Sequence, residues 1–150
     1  MSVESNGQLN DLLVLLHRSL VQYLATAWPW SAPGSGALEG SVLSLMERQQ
    51  ADAGKLAALL TQRRHLVDFG LFPADFTRWN FISLEYLYTF LCEQQHILVQ
   101  RLEQSVELFK EDPSGQQLIR EIAQSQRKGL DQLWNIEPPG ESSHSTRGKP

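Results

Sequence analysis

The chain has 150 residues, 13 Lys and Arg against 17 Asp and Glu for a formal net charge of -4, and it is 41% hydrophobic with a single cysteine. This length suits one domain with a core of its own. One cysteine excludes internal disulfides and zinc–cysteine clusters, and the acidic balance, with no basic run longer than Arg63-Arg64-His65, argues against nucleic-acid binding.

The absence of any apolar run near about 18 residues, together with a polar start unlike a signal peptide, predicts a cytoplasmic protein with no membrane span. Residues 1–8 read as a disordered N-terminus, 9–137 as the folded unit and 138–150, a proline-, serine- and glycine-rich stretch containing His144, as a disordered tail.

Four segments carry apolar residues at a period near 3.6, and strand-like alternation is scarce, so the fold class is all-α. The first runs from Leu9 to Ala27, with Leu9, Leu12, Leu13, Leu16, Leu20 and Tyr23 on one face, and stops at Trp28-Pro29-Trp30. The second begins near Leu38 and continues to about His65 or Asp68, through Val42, Met46, Gln49 or Gln50, Ala53, Ala57 and Leu60, with Gly54 as its weak point. Phe69 to Trp79 forms an aromatic-rich connection.

The third helix starts between Asn80 and Ser83 and reaches about Lys110, through Leu84, Leu87, Tyr88, Leu91, Gln95, Leu98 and Leu102. After a turn at Asp112-Pro113-Ser114-Gly115, the fourth covers Gln116 to Trp134 through Ile119, Ile122, Gln126, Leu130 and Leu133. Short links make the first and second, and the third and fourth, antiparallel neighbours. The longer link from Asp68 to Asn80 predicts a crossover that leaves the second and third helices parallel, with an up-down-up-down bundle as the alternative.

Chemistry in a bundle is carried by polar groups on the inward faces. Glu93 and His96 have metal-ligand spacing, but at about 100° per residue Glu93 lies roughly 180° from Leu84 and Leu102, and His96 some 120° from the stripe. His17 sits at the edge of the first apolar face. The inward polar residues are glutamines, namely Gln50, Gln95 and Gln126, which with Tyr23 predict a core polar network or a small pocket. Cys92 reads as a buried inert thiol, and Asp52, Asp68 and Asp131 as surface charge. Phosphate loops, paired cysteines and HExxH are absent.

Two stretches resemble the ferritin-like superfamily, in particular its bacterioferritin and rubrerythrin-type bundles. Leu16-His-Arg-Ser-Leu-Val-Gln22-Tyr23 is similar to the first-helix pattern in which a ligand glutamate precedes Gln-Tyr, with Leu16 at the ligand position. Glu47-Arg-Gln-Gln50-Ala-Asp52 is similar to Glu-x-x-His-Ala-Asp, with Glu47 kept and Gln50 in place of histidine. The third-helix glutamate falls near Gln94 or Gln95, and the last Glu-x-x-His falls around Gln126, without its ligands.

The resemblance implies a ferritin-like four-helix bundle with a crossover between helices 2 and 3, a homodimer, and a di-metal site lost to amides and alkyl groups. The expected function is accordingly non-catalytic, through self-association or a protein partner at the aromatic connections, with neither cofactor nor catalytic residue. Two alternatives stay open. One is a residual ferroxidase- or peroxidase-like oxidoreductase holding iron, manganese or zinc through His17, Glu47, Glu93 and His96. The other is a small apolar ligand inside the bundle, bordered by Tyr23, Gln50 and Gln95.

Overall fold

The structure is a computed structural model that describes residues 3–29, 31 and 36–136. Trp30, residues 32–35 of the first loop and the tail 138–150 with His144 lie outside the described residues. Among the described residues the fold is all-helical and without strands: α1 (Val3–His17), α2 (Leu20–Leu24), α3 (Gly36–Gln62), α4 (Leu84–Ser105) and α5 (Pro113–Trp134), with 3-10 turns at Ala74–Trp79 and Val106–Phe109. None of these helices is long and apolar enough to cross a membrane.

The boundaries depart from the periodic reading where polar side chains cap or extend a helix. α1 begins at Val3, inside the stretch expected to be disordered, because Ser5 and Asn6 find partners across the bundle: Ser5 Oγ donates to Asp112, and Asn6 Oδ1 accepts from Arg63. The expected single first helix is divided at Arg18-Ser19, where Ser19 is extended and its hydroxyl accepts from the backbone N–H of Gln22, capping α2. α3 ends at Gln62 in a Schellman turn, with His65 N–H bonded to Leu60 C=O and Arg64 at φ 58°. The expected turn Asp112 to Gly115 is the first turn of α5, with Asp112 as N-cap and Pro113 at the opening position.

The helix ends fix the topology. Ser5 of α1, Arg63 just past α3 and Asp112 before α5 meet at one end. At the other, Leu24, Leu38, Leu84 and Leu133 share one apolar cluster, and the Tyr88 hydroxyl donates to Leu133 C=O at 2.6 Å. α3 and α4 therefore run in the same direction, and the chain between them returns along α1 and α2. Asn10 bonds the backbone of Asp68, Arg18 Nε donates to the carbonyls of Phe69 and Gly70, and the Tyr23 hydroxyl donates to Asn80 at 2.7 Å. Ring contacts hold three aromatic residues of this segment against the bundle: Trp79 packs on Phe90 at 4.3 Å, and Tyr23 meets Phe72 and Phe76 at 5.4 and 5.6 Å. Trp79 is thus half covered by the bundle itself, through α4.

The core is in two apolar halves. One gathers Leu9, Leu13, Leu16, Leu56, Leu60, Leu102, Phe109 and Ile122, the other Leu20, Leu24, Val42, Leu84, Leu87, Tyr88 and Leu133. Between them α2, α3, α4 and α5 each contribute a buried polar residue. Gly54 lies on the exposed side of α3, where an added Cβ meets nothing within 4 Å. Gly54→Ala is expected to raise the unfolding free energy by about 1 kcal/mol, because alanine lowers the backbone entropy lost in a helix interior. A urea midpoint that fails to rise contradicts this placement.

Candidate functional site

The middle layer is a chain of side-chain hydrogen bonds that crosses the bundle. The Ser19 hydroxyl donates to Gln49 Oε1 at 2.8 Å, and Gln22 Nε2 donates to the same oxygen at 3.1 Å and to Met46 C=O at 2.9 Å. Gln49 Nε2 donates to Gln95 Oε1 at 2.8 Å, Gln95 Nε2 to Gln126 Oε1 at 3.0 Å, and Gln126 Nε2 to Asp52 Oδ2 at 2.8 Å. Gln22, Gln49, Gln95, Gln126 and Asp52 are all buried. The direction is set by its end: an ionised carboxylate only accepts, so each amide passes its N–H toward Asp52 and keeps its oxygen for the next donor. Aligned in this way, the amides polarise one another in a medium poor in water.

Helical phase explains which residues take part. Val42, Leu45, Met46, Gln49, Ala53, Leu56 and Leu60 are the buried stripe of α3, and Gln49 falls on it at the required three- or four-residue step. Gln50, expected to face inward, is turned about 100° further and is exposed; it joins only from the side, donating to Gln22 Oε1 at 3.2 Å. Gln95 and Gln126 converge as expected. Tyr23 stands apart, half-buried on the connection and bonded to Asn80. Asp52, read from sequence as surface charge, is 2% exposed and terminates the chain; Lys55, one turn on, approaches its other oxygen at 3.7 Å.

The residues of the alternative metal site do not come together. Glu47 is exposed, about 200° around α3 from Gln49. Glu93 is exposed on α4, and His96 is half-buried, its Nδ1 without a partner among the described residues. His17 packs its ring on Phe69 at 5.0 Å, and burial, then the neighbouring Arg18 charge, lowers its pKa below the ordinary histidine value. Among the described residues no three His, Cys, Asp or Glu side chains are grouped as a metal ion requires. The middle layer does not fit a di-metal centre either. It offers neutral amides and one carboxylate already engaged by Gln126 and Lys55, where two cations need several anionic bridges and imidazoles.

A second feature lies beside this layer. Between α1, α2, α4 and the returning connection is a groove of about 350 Å³, lined among others by Val14, Leu15, Phe76 and Leu98, with Gln95 and Ser19 at its polar side. It opens at the surface, not inside the bundle between Tyr23, Gln50 and Gln95. At the end of the bundle that holds Ser5, Asp112 accepts two hydrogen bonds from Arg63 at 2.7 and 2.8 Å, one from Ser5 Oγ at 2.5 Å and one from Gly115 N–H at 3.1 Å. Sequence reasoning missed this cluster; its one local signal was Asp before Pro, the pattern of an N-cap.

Chemically, the layer consists of the Ser19 hydroxyl, four buried amides and one carboxylate, each engaged by another group of the layer, and these bonds order the core. Comparison of the chain with protein-family models, with curated proteins and with solved structures finds no match in any of the three.

Proposed function

We propose that this chain is a ferritin-like bundle whose di-metal site has been replaced by hydrogen-bonded amides, and that it acts without catalysis, by pairing with a second copy of itself. The amide layer carries this reading: in the centre of a bundle with parallel α3 and α4, Gln49, Gln95 and Gln126 occupy the inward positions at which metal-binding relatives need carboxylates and histidines, and each is satisfied by another amide or by Asp52. The resemblance around Leu16 to Tyr23 agrees with it, whereas Glu47 and Gln50, the positions matched to Glu-x-x-His, are exposed and leave Gln49 to face the layer; Cys92, buried on α4, suits a reducing, cytoplasmic setting.

Self-association is supported by Phe81 in the turn that precedes α4. Its ring is 94% exposed and its backbone is held at φ 69°, a left-handed conformation that costs about 1–2 kcal/mol for a residue with a side chain. Tyr86, in the first turn of α4, is 73% exposed. A two-fold contact through this end covers both rings with their own copies.

Elemental analysis of protein purified without chelators is expected to find far less than one iron, manganese or zinc per chain. Sedimentation velocity is expected to show a dimer that Phe81→Asp converts to monomer with unchanged helical circular dichroism. A stoichiometric metal overturns the loss of the site, and a monomeric wild type overturns the pairing.

A further inference from the structure

The groove beside the amide layer has apolar walls and an arginine held in its lining. Val14, Leu15, Phe76 and Leu98 supply the walls, and two side chains of its lining, Leu71 and Ile97, remain 85% and 49% exposed. Arg18 stands where α1 gives way to α2. Its Nε donates to the carbonyls of Phe69 and Gly70 at 3.1 and 3.0 Å, and its guanidinium carbon lies 4.7 Å from the centre of the Phe72 ring. These contacts hold the guanidinium plane, while its two terminal nitrogens find no partner among the described residues. A planar guanidinium held at one edge, with the terminal pair available, matches a carboxylate's two oxygens.

The other charges of the lining are Asp11 and Arg101, so two cations face one anion. The groove is thus net positive in a chain of net charge -4. We propose that it binds a free single-chain carboxylate, the alkyl chain laid along Val14, Leu15, Phe76 and Leu98 and the head group held by the terminal nitrogens of Arg18. Its volume, about 350 Å³, is at the lower end of the roughly 300–1,000 Å³ of ligand pockets and suits one medium-length chain better than a diacyl lipid. Burial of Leu71 and Ile97 beneath that chain supplies apolar contact, and the charge pairing supplies selectivity for an anion.

Isothermal titration of the full chain with sodium laurate, below its micelle concentration, is expected to show one saturable site. Arg18→Gln is expected to weaken laurate at least ten-fold and to leave dodecanol unchanged. Leu15→Trp, which fills the groove and keeps Arg18, is expected to abolish both. Thermal unfolding of each variant confirms that it is folded; if Arg18→Gln is not, Leu15→Trp and the comparison of laurate with dodecyltrimethylammonium decide the matter. Equal laurate affinity in a folded Arg18→Gln chain, equal binding of the cationic amphiphile, or no saturable site overturns the proposal. Metal content and oligomeric state bear only on the earlier reading, so the two fail separately.

Discussion

Gln126→Leu is expected to lower the unfolding free energy by about 3 kcal/mol, read as a fall in the urea midpoint at unchanged slope. Gln126 is 0% exposed, and it is the buried donor to Asp52, whose remaining partner is Lys55 with a side chain 56% exposed. Leucine fills the volume but leaves a buried carboxylate oxygen without its donor and removes the side-chain acceptor of Gln95; the second Gln95 bond, to the Gln126 carbonyl at 3.2 Å, survives. Stranding a charged acceptor is costlier than losing a neutral pair.

The same physics predicts the opposite result for the whole layer. Replacing Gln22, Gln49, Gln95, Gln126 and Asp52 together by leucine or methionine is expected to be near neutral or stabilising, because all five buried polar side chains are then gone and the half-buried Ser19 hydroxyl still accepts from the Gln22 backbone N–H. A single Gln126→Leu cost below about 1 kcal/mol contradicts the hydrogen-bonded layer.

Asp112→Asn is expected to cost about 3–5 kcal/mol, the range for removing one partner of a buried ion pair. Asp112 is 2% exposed and the Arg63 side chain 5%, so the substitution leaves a guanidinium enclosed without its counter-charge. Asparagine still accepts from Gly115 N–H, so the loss reports the ion pair and not the helix cap; Asp112→Ala adds about 1 kcal/mol for the cap.

The hydrogen bond from Arg63, followed by those from Ser5 and Gly115, outweighs burial and holds the Asp112 carboxyl well below its ordinary value of 3.8. The native state therefore binds its proton more weakly than the unfolded chain. The contribution of Asp112 is complete above about pH 3.8 and is lost as pH falls toward its native value. Acid unfolding of the wild type is expected to steepen below that pH, with a shallower dependence in the Asp112→Asn chain. Parallel acid limbs for the two proteins contradict this assignment.

Much of the fold was legible from apolar spacing. The stripe Leu84, Leu87, Leu91, Leu98 and Leu102 placed α4, and Ile119, Ile122, Leu130 and Leu133 placed α5, since a 3.6-residue period is a local property of the chain. The long aromatic-rich connection, with its single Pro73, predicted a return along the bundle, and α3 and α4 are parallel. The polar layer was half legible. Gln95 and Gln126 lie on unambiguous stripes, whereas on α3 adjacent glutamines differ by only one step of phase.

By itself, then, the sequence determined the helical class, the long helices and a core seeded with amides, because each follows from periodicity and composition. Only the tertiary structure decided that Gln49 and not Gln50 points inward, that Asp52 is buried, that Ser5 and Arg63 share Asp112, and that Glu47, Glu93, His17 and His96 stay apart. Those outcomes depend on pairing groups from different helices. A rotation of about 100° or a shift of one turn exchanges a buried donor for a solvated one, and only partners far apart in the chain select between them.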